Sequence, residues 1–352
     1  MTIYQDSKRI VGTNAERISK TVDGVGGWKE LGRTTFGGGA KTYEVANLPD
    51  KRYYMLLVNN FQSAQTEGDS FRVNNITGTE FSGRESQNGL SYNGTFTGKT
   101  KTGFWGFHPH SQPSFAVGFV SNLNGKQKLG TSKTVGQLSN VSGAGNAPDR
   151  GEATQKWNNE SSIISSFQQV NAWNNYNSGS EMVVLGWDPD DTHTTNFWEE
   201  LASVEGDGTS TTISSGTIPA KKYLWVQAFT NASSQNTGFQ FNNDTDDHYA
   251  IRRSTNGATD VTDDTIGYIE GSDTSKAFTN MFIINNSTNE KLTIGHSVHN
   301  PTAGSGTAPT RNEVVGKWVP TTNQQITEID YMQQTTSVNF PSGSILKVWG
   351  HD

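Results

Sequence analysis

Trp28-Lys29-Glu30-Leu31 recurs as Trp198-Glu199-Glu200-Leu201, so the chain is one unit written twice. Later landmarks keep their order. Pro49-Asp50-Lys51-Arg52-Tyr53-Tyr54 returns as Pro219-Ala220-Lys221-Lys222-Tyr223-Leu224. Ala147-Pro148-Asp149-Arg150-Gly151-Glu152 returns as Ala308-Pro309-Thr310-Arg311-Asn312-Glu313, and Lys156-Trp157 and Lys317-Trp318 follow them. The first copy closes on Ser178-Gly179-Ser180-Glu181-Met182-Val183-Val184-Leu185-Gly186, the second on Ser342-Gly343-Ser344-Ile345-Leu346-Lys347-Val348-Trp349-Gly350. The spacing between copies drifts by a few residues, as small loop insertions and deletions would produce. The reading is a leader or arm at 1–27, a first repeat at 28–190 and a second at 191–352. Each repeat is long enough to bury its own core, and the period far exceeds that of a solenoid.

Composition points to strands. Only 17% of residues are charged and 32% hydrophobic, with 38 Gly among many Asn, Ser and Thr. A disordered chain combines low hydrophobicity with high net charge, and that combination is missing here. The small polar residues suit tight turns between short strands. Tyr53–Val58, Tyr223–Phe229, Phe115–Val120, Phe278–Ile284, Gln127–Gly130 and Glu290–Gly295 read as strands from their aromatic and β-branched content. Helical periodicity is thin, with single turns at most. The expected fold is all-β: two tandem, internally duplicated antiparallel β-sandwiches, jelly-roll-like, of about eight strands each. A plain Greek-key sandwich is the alternative. Lys133 to Asn158 and Asn300 to Thr310 read as long loops.

Net charge is −7 without a basic stripe, which argues against direct nucleic-acid binding. No Cys is present, so disulfides and thiolate metal sites are excluded. The opening residues lack the apolar core of a secretory signal. No apolar run approaches the roughly 18–20 residues of a membrane span.

A catalytic constellation does not emerge, so a non-enzymatic role is expected. His296 and His299 lack the helix and Glu of a zinc-protease motif. Gly37-Gly38-Gly39 lacks the Lys-Ser/Thr of a phosphate loop. Paired carboxylates depend on spatial separation, which spacing in sequence does not reveal. Asp188, Asp190, Asp191 and Glu199 echo a calcium loop in their oxygen-ligand spacing, but His193 replaces the required Gly. No other cofactor is expected. Asp244, Asp246, Asp247, Asp260, Asp263 and Asp264 form a second acidic run. Phe104, Trp105, Phe107, His108 and His110 stand in a stretch unique to the first copy and are candidates for an exposed binding or interface contact. Trp157 and Trp318, matched between copies, read as core. The two Arg-x-Glu matches read as braces of a turn, with an inter-subunit contact as the functional alternative.

The chain also resembles structural proteins of bacterial and archaeal viruses. The resemblance rests on the cysteine-free Asn/Gly/Thr-rich text, the leader Met1-Thr2-Ile3-Tyr4-Gln5-Asp6-Ser7-Lys8-Arg9-Ile10, the run Phe239-Gln240-Phe241-Asn242-Asn243-Asp244 through Thr255-Asn256-Gly257, and the terminus Gly343 to Asp352. Two jelly rolls in one chain look like the double jelly-roll capsid proteins, three of which make a pseudo-hexagonal capsomer. The resemblance implies a capsid shell or decoration protein, assembled in the host cytoplasm and located in the virion. Its partners would be copies of itself and other virion proteins. The alternative is a carbohydrate- or receptor-binding fibre or adhesin module that uses exposed aromatics on host-surface glycans.

Overall fold

The computed structural model describes the backbone of 3–5 and 8–11, and residues 27–61, 69–89, 92–102, 113–137, 142–189, 191, 196–232, 235–272, 275–300, 302, 304–335 and 338–352. In the leader, β1 (Ile3–Gln5) and β2 (Lys8–Val11) pair antiparallel. The first repeat contains β3 (Lys29–Thr35), β4 (Thr42–Val45), β5 (Tyr53–Asn60), β6 (Ser70–Val73), β7 (Phe81–Gln87), β8 (Tyr92–Lys99), β9 (Ser114–Ser121), β10 (Lys128–Gly136), β11 (Asp149–Trp157), β12 (Phe167–Val170) and β13 (Glu181–Trp187). The second contains β14 (Glu199–Glu205), β15 (Thr212–Ser214), β16 (Tyr223–Thr230), β17 (Thr237–Phe241), β18 (Tyr249–Thr255), β19 (Val261–Ile266), β20 (Ile269–Glu270), β21 (Lys276–Ile284), β22 (Lys291–Asn300), β23 (Thr310–Trp318), β24 (Ile329–Gln333) and β25 (Ile345–His351). Among the described residues there is no helix. The chain is all-β and its sheets are antiparallel.

Each repeat supplies one large and one small sheet. The large sheets run β3-β13-β5-β9-β10-β11-β7-β8 and β14-β25-β16-β21-β22-β23-β18-β19, which is the same order strand for strand. The small sheets are β4-β12-β6 and β15-β24-β17-β20, where β20 has no counterpart among the described residues. Among the described residues, eleven and twelve strands replace the roughly eight expected per repeat. The expected loop from Lys133 to Asn158 is a correction. β10 runs on to Gly136 and β11 starts at Asp149, so only 137–148 connect them. Glu152, Thr154 and Lys156 hide this strand from a hydrophobicity reading, because that face of β11 is polar.

Three cores hold the sheets together. Tyr54, Leu56 and Val58 of β5 meet Val45, Phe71, Val73 and Phe167 of the small sheet. Leu224, Val226 and Ala228 of β16 meet Ile213, Phe239, Phe241 and Tyr331 in the same way. The alternate residues Met55 and Leu57, with Phe115, Val117 and Val183, face the other direction. They pack against Tyr223, Phe282, Ile284, Leu292 and Trp349 of the second repeat. Successive side chains of a strand point to opposite faces. The central strands are therefore apolar on both sides, which explains their unbroken apolar runs. The large sheets face each other, and each carries its small sheet on its outer side.

Asparagine locks the connections, and it does so twice. Asn74 and Asn242 have φ of 52° and 54°, a left-handed conformation that Asn tolerates better than most residues. Asn74 Oδ1 accepts from the backbone N–H of Ser165 at 2.8 Å and Ser166 at 3.2 Å. Asn242 Oδ1 accepts from Thr327 at 2.8 Å and Glu328 at 3.1 Å. Asn88 and Asn256 each accept from a motif arginine's backbone N–H, Arg150 and Arg311, both at 2.9 Å. Trp157 and Trp318 are buried, as expected. Their indole N–H groups donate to Glu80 and Asp244, both at 2.7 Å.

Candidate functional site

The two Glu of the repeated Arg-x-Glu motif converge where the large sheets meet. Lys133 on β10 lies opposite Glu152 on β11, and His296 on β22 lies opposite Glu313 on β23. These are equivalent positions of the two repeats. Arg150, its side chain only 7% exposed, ties them together. Its Nη1 donates to Glu152 and, at 2.8 Å, to Glu313 Oε2. Its Nη2 reaches Asp260 Oδ1 at 2.8 Å. Lys133 Nζ stands 3.4 Å from Glu313. The backbone of both motif arginines does tie down a turn asparagine, but the side chain of Arg150 goes further and crosses to Glu313 and Asp260 of the other repeat, whereas Arg311 Nε stays 3.8 Å from its own Glu313.

The charges answer each other. Burial alone would raise the Glu313 carboxyl, but Lys133, the hydrogen bond with Glu152, Arg150 and Arg311 hold it down at about 2. Glu152 is pushed up, first by burial and then by Glu313. His296 is pushed down, first by burial and then by Lys133, so it is neutral at pH 7. Arg150 leaves neither carboxylate as a free base or nucleophile, so the pair is an ionic clasp.

Beside the clasp the sheets part, leaving a cleft of about 510 Å³. The first repeat lines it with Arg84, Ser86, Asn93, Val117, Phe119, Thr131, Lys133, Glu152 and Thr154; the second adds Asn280, Phe282, Ile294 and His296. A trough along the first large sheet shares Arg84, Thr131 and Thr154 with it and reaches Leu129 and Phe96. Asn280 is fixed in place: its Oδ1 accepts from Trp225 Nε1 at 2.6 Å and Gln227 Nε2 at 3.1 Å. Phe282 stacks on Trp225 with ring centroids 5.2 Å apart.

The residues singled out in sequence fare differently. Asp191 Oδ2 accepts from the Asp188 backbone N–H at 2.8 Å. Lys51 pairs with Asp191, and Arg52 Nε stands 3.4 Å from Asp188 Oδ1. Lysine and arginine thus occupy those carboxylates. Glu199 sits exposed at the start of β14, opposite Gly350. Among the described residues these three carboxylates do not gather into a metal-sized group, whereas Asp244, Asp246 and His248 do. In that second acidic run Asp244 is already engaged by Trp318 and by His248 Nδ1 at 2.9 Å. Asp190 lies outside the described residues, as do Phe104, Trp105, Phe107, His108 and His110. Reading the sequence missed Arg84, Phe119 and Asn280 as site residues. Only the repeated Arg-x-Glu marked the spot.

No family model and no curated protein matches the chain. Among solved structures, the attachment invasion locus protein Ail of Yersinia pestis, solved with the heparin analogue sucrose octasulfate, is similar at 6% identity. That alignment covers 76% of this chain and 97% of Ail, at a TM-score of 0.14. Human GIVD cytosolic phospholipase A2 shows 6% identity over 80% of this chain and 34% of that one, at 0.13. The outer membrane protein OprG of Pseudomonas aeruginosa shows 8% identity over 86% and 98%, at 0.09. Likeness at these scores carries no argument about fold, location or function. Among the described residues no helix is long and apolar enough to cross a membrane, which says nothing of a β-barrel.

Proposed function

We propose that this chain is a non-enzymatic virion structural protein, a capsid shell or decoration component that acts by self-assembly. In this reading the sheet pairs are two tandem jelly-roll-like sandwiches. The partners are copies of the chain and other virion proteins, and assembly in the host cytoplasm precedes residence in the virion. The resemblance noted in the sequence supplies the viral context. One structural observation supports self-assembly: an apolar row left uncovered on the second large sheet.

Phe229 lies opposite Phe278, and Phe278 opposite Val298, in one cross-strand row. They are 38%, 40% and 42% exposed. Four residues back along β16 and β22 and four onward along β21, where the side chains share that face, lie Trp225, Ile294 and Phe282, which belong to or pack against the inter-repeat core. So one face is covered by the first repeat at one end and bare at the other. Single exposed apolar residues need no explanation, but a contiguous row marks a contact surface. A neighbouring copy is the partner that a self-assembling shell supplies. Electron microscopy of the purified protein tests the reading. Regular rings, sheets or closed particles support it; a strict monomer at every concentration overturns it.

A further inference from the structure

The cleft between the large sheets holds unspent recognition chemistry. Among the described residues four charged side chains line it: Arg84, Glu85, Lys133 and Glu152. Lys133 is held by Glu313 and Glu152 by Arg150. Glu85 has an interaction partner of its own. Arg84, which is exposed, has no hydrogen bond or ion pair among the described residues. The net demand of the cleft is therefore for one negative group opposite a guanidinium, whose fork matches a carboxylate.

The remaining lining narrows the class. Phe119 is 40% exposed and, with Trp28 tilted beside it at 6.3 Å between centroids, offers its remaining ring surface as a face for an apolar group. The Asn280 amide nitrogen is free to donate, because Trp225 and Gln227 fix its oxygen and leave the nitrogen without a partner among the described residues. The hydroxyls of Thr131 and Thr154 are exposed and likewise unengaged. One carboxylate, one apolar face and several hydroxyl-seeking groups describe a carboxylated sugar ring. Net charge of −7 disfavours a densely sulfated polyanion, which the whole surface would repel.

We propose that this cleft binds a carboxylated sugar, its carboxylate on Arg84, its ring against Phe119 and its hydroxyls on Asn280 and the two threonines. The site does not depend on the assembly proposed above and would serve a monomer equally. Pockets of this kind, largely apolar with a few convergent polar groups, are the usual form of small-ligand sites.

Titration calorimetry on the full chain, with methyl glucuronoside and sialyllactose against methyl glucoside and lactose, tests it. At least one acidic sugar is expected to bind saturably, and its neutral partner about tenfold more weakly or worse. Arg84→Ala should weaken acidic-sugar binding about 10- to 100-fold, the loss of one charge-assisted contact, with Arg84→Lys in between. Phe119→Ala should weaken whatever binds. The exposed positions of Arg84 and Phe119 keep these variants folded, and thermal melting verifies that. Equal binding of acidic and neutral sugars would overturn the proposal. So would wild-type affinity in Arg84→Ala, or no binding of either acidic sugar up to about 10 mM.

Discussion

Arg150 Nη1 stands 2.8 Å from Glu313 Oε2, so the arginine of one copy of a repeated motif is paired with the glutamate of the other. A duplication that began as two equal units has thereby become one body. Asp260, its side chain 2% exposed, closes the third side of the guanidinium. Removing the cation takes from the buried Asp260 the arginine it pairs with and leaves Glu313 to Lys133 and the half-exposed Arg311, which is far costlier than losing a surface pair.

Arg150→Met should therefore cost about 3–5 kcal/mol of unfolding free energy. Arg311→Met removes the equivalent residue of the other copy, but that side chain is 49% exposed. Its loss should cost less than about 1 kcal/mol. Urea denaturation of the two variants checks the contrast, and equal losses would contradict the clasp.

The clasp also sets an acid limit. Glu313 is held at about 2 against an ordinary value of 4.5. A carboxyl with a lowered folded value contributes stability in full above its unfolded value and loses it as pH falls through the folded one. Its contribution should thus disappear between pH 4.5 and about 2. Glu152, raised by burial and by Glu313, works in the opposite sense at higher pH, since its ionisation costs stability. Glu313→Gln should flatten the acid limb of a stability-against-pH curve measured by denaturant titration. A limb unchanged by that substitution would show that other carboxyls set it.

Asparagine turns should be more sensitive than their exposure implies. Asn242→Ala loses a residue suited to φ of 54° and strands the N–H groups of Thr327 and Glu328. The expected cost is about 2–3 kcal/mol. Asn242→Gly keeps the backbone freedom without the acceptor and should fall in between. Thermal or urea melts of both variants, and of Asn74→Ala as the matched position, give the ranking.

Two buried tryptophans offer a further contrast. Trp318 and Trp198 are both fully buried. Trp318 donates to Asp244 at 2.7 Å, while the Trp198 indole N–H is without an acceptor among the described residues. Trp318→Phe should therefore cost about 1.5–3 kcal/mol more than Trp198→Phe, the value of a bond to a charged group. Equal costs by urea denaturation would mean that packing alone decides both.

Much of this architecture is legible in the chain. Tyr53–Asn60 declares itself as a central strand because both its faces are buried; Tyr223–Thr230 buries one face throughout, while the other is half-buried until it emerges at Phe229. The Lys-Trp landmarks mark the ends of β11 and β23, where the tryptophans enter the cores. β11 itself is hidden by its polar inner face, whose residues make sense only once Lys133 and Glu313 stand opposite. The turn asparagines recur as Asn74-Asn75 and Asn242-Asn243, a repeat visible in the sequence but weaker to the eye than tryptophan. The cleft is not legible at all. Arg84, Phe119 and Asn280 come from three strands of two repeats, and only the crossing of the large sheets brings them to one space.

Self-assembly of the proposed kind runs through the uncovered apolar row of Phe229, Phe278 and Val298. Static light scattering of the wild-type chain against Phe229→Ser/Phe278→Ser/Val298→Ser, as a function of concentration, tests it most directly. The wild type should form a discrete higher-order species and the triple variant should stay monomeric, with unchanged circular dichroism. A wild type that remains monomeric throughout, or a variant that assembles equally well, would contradict it.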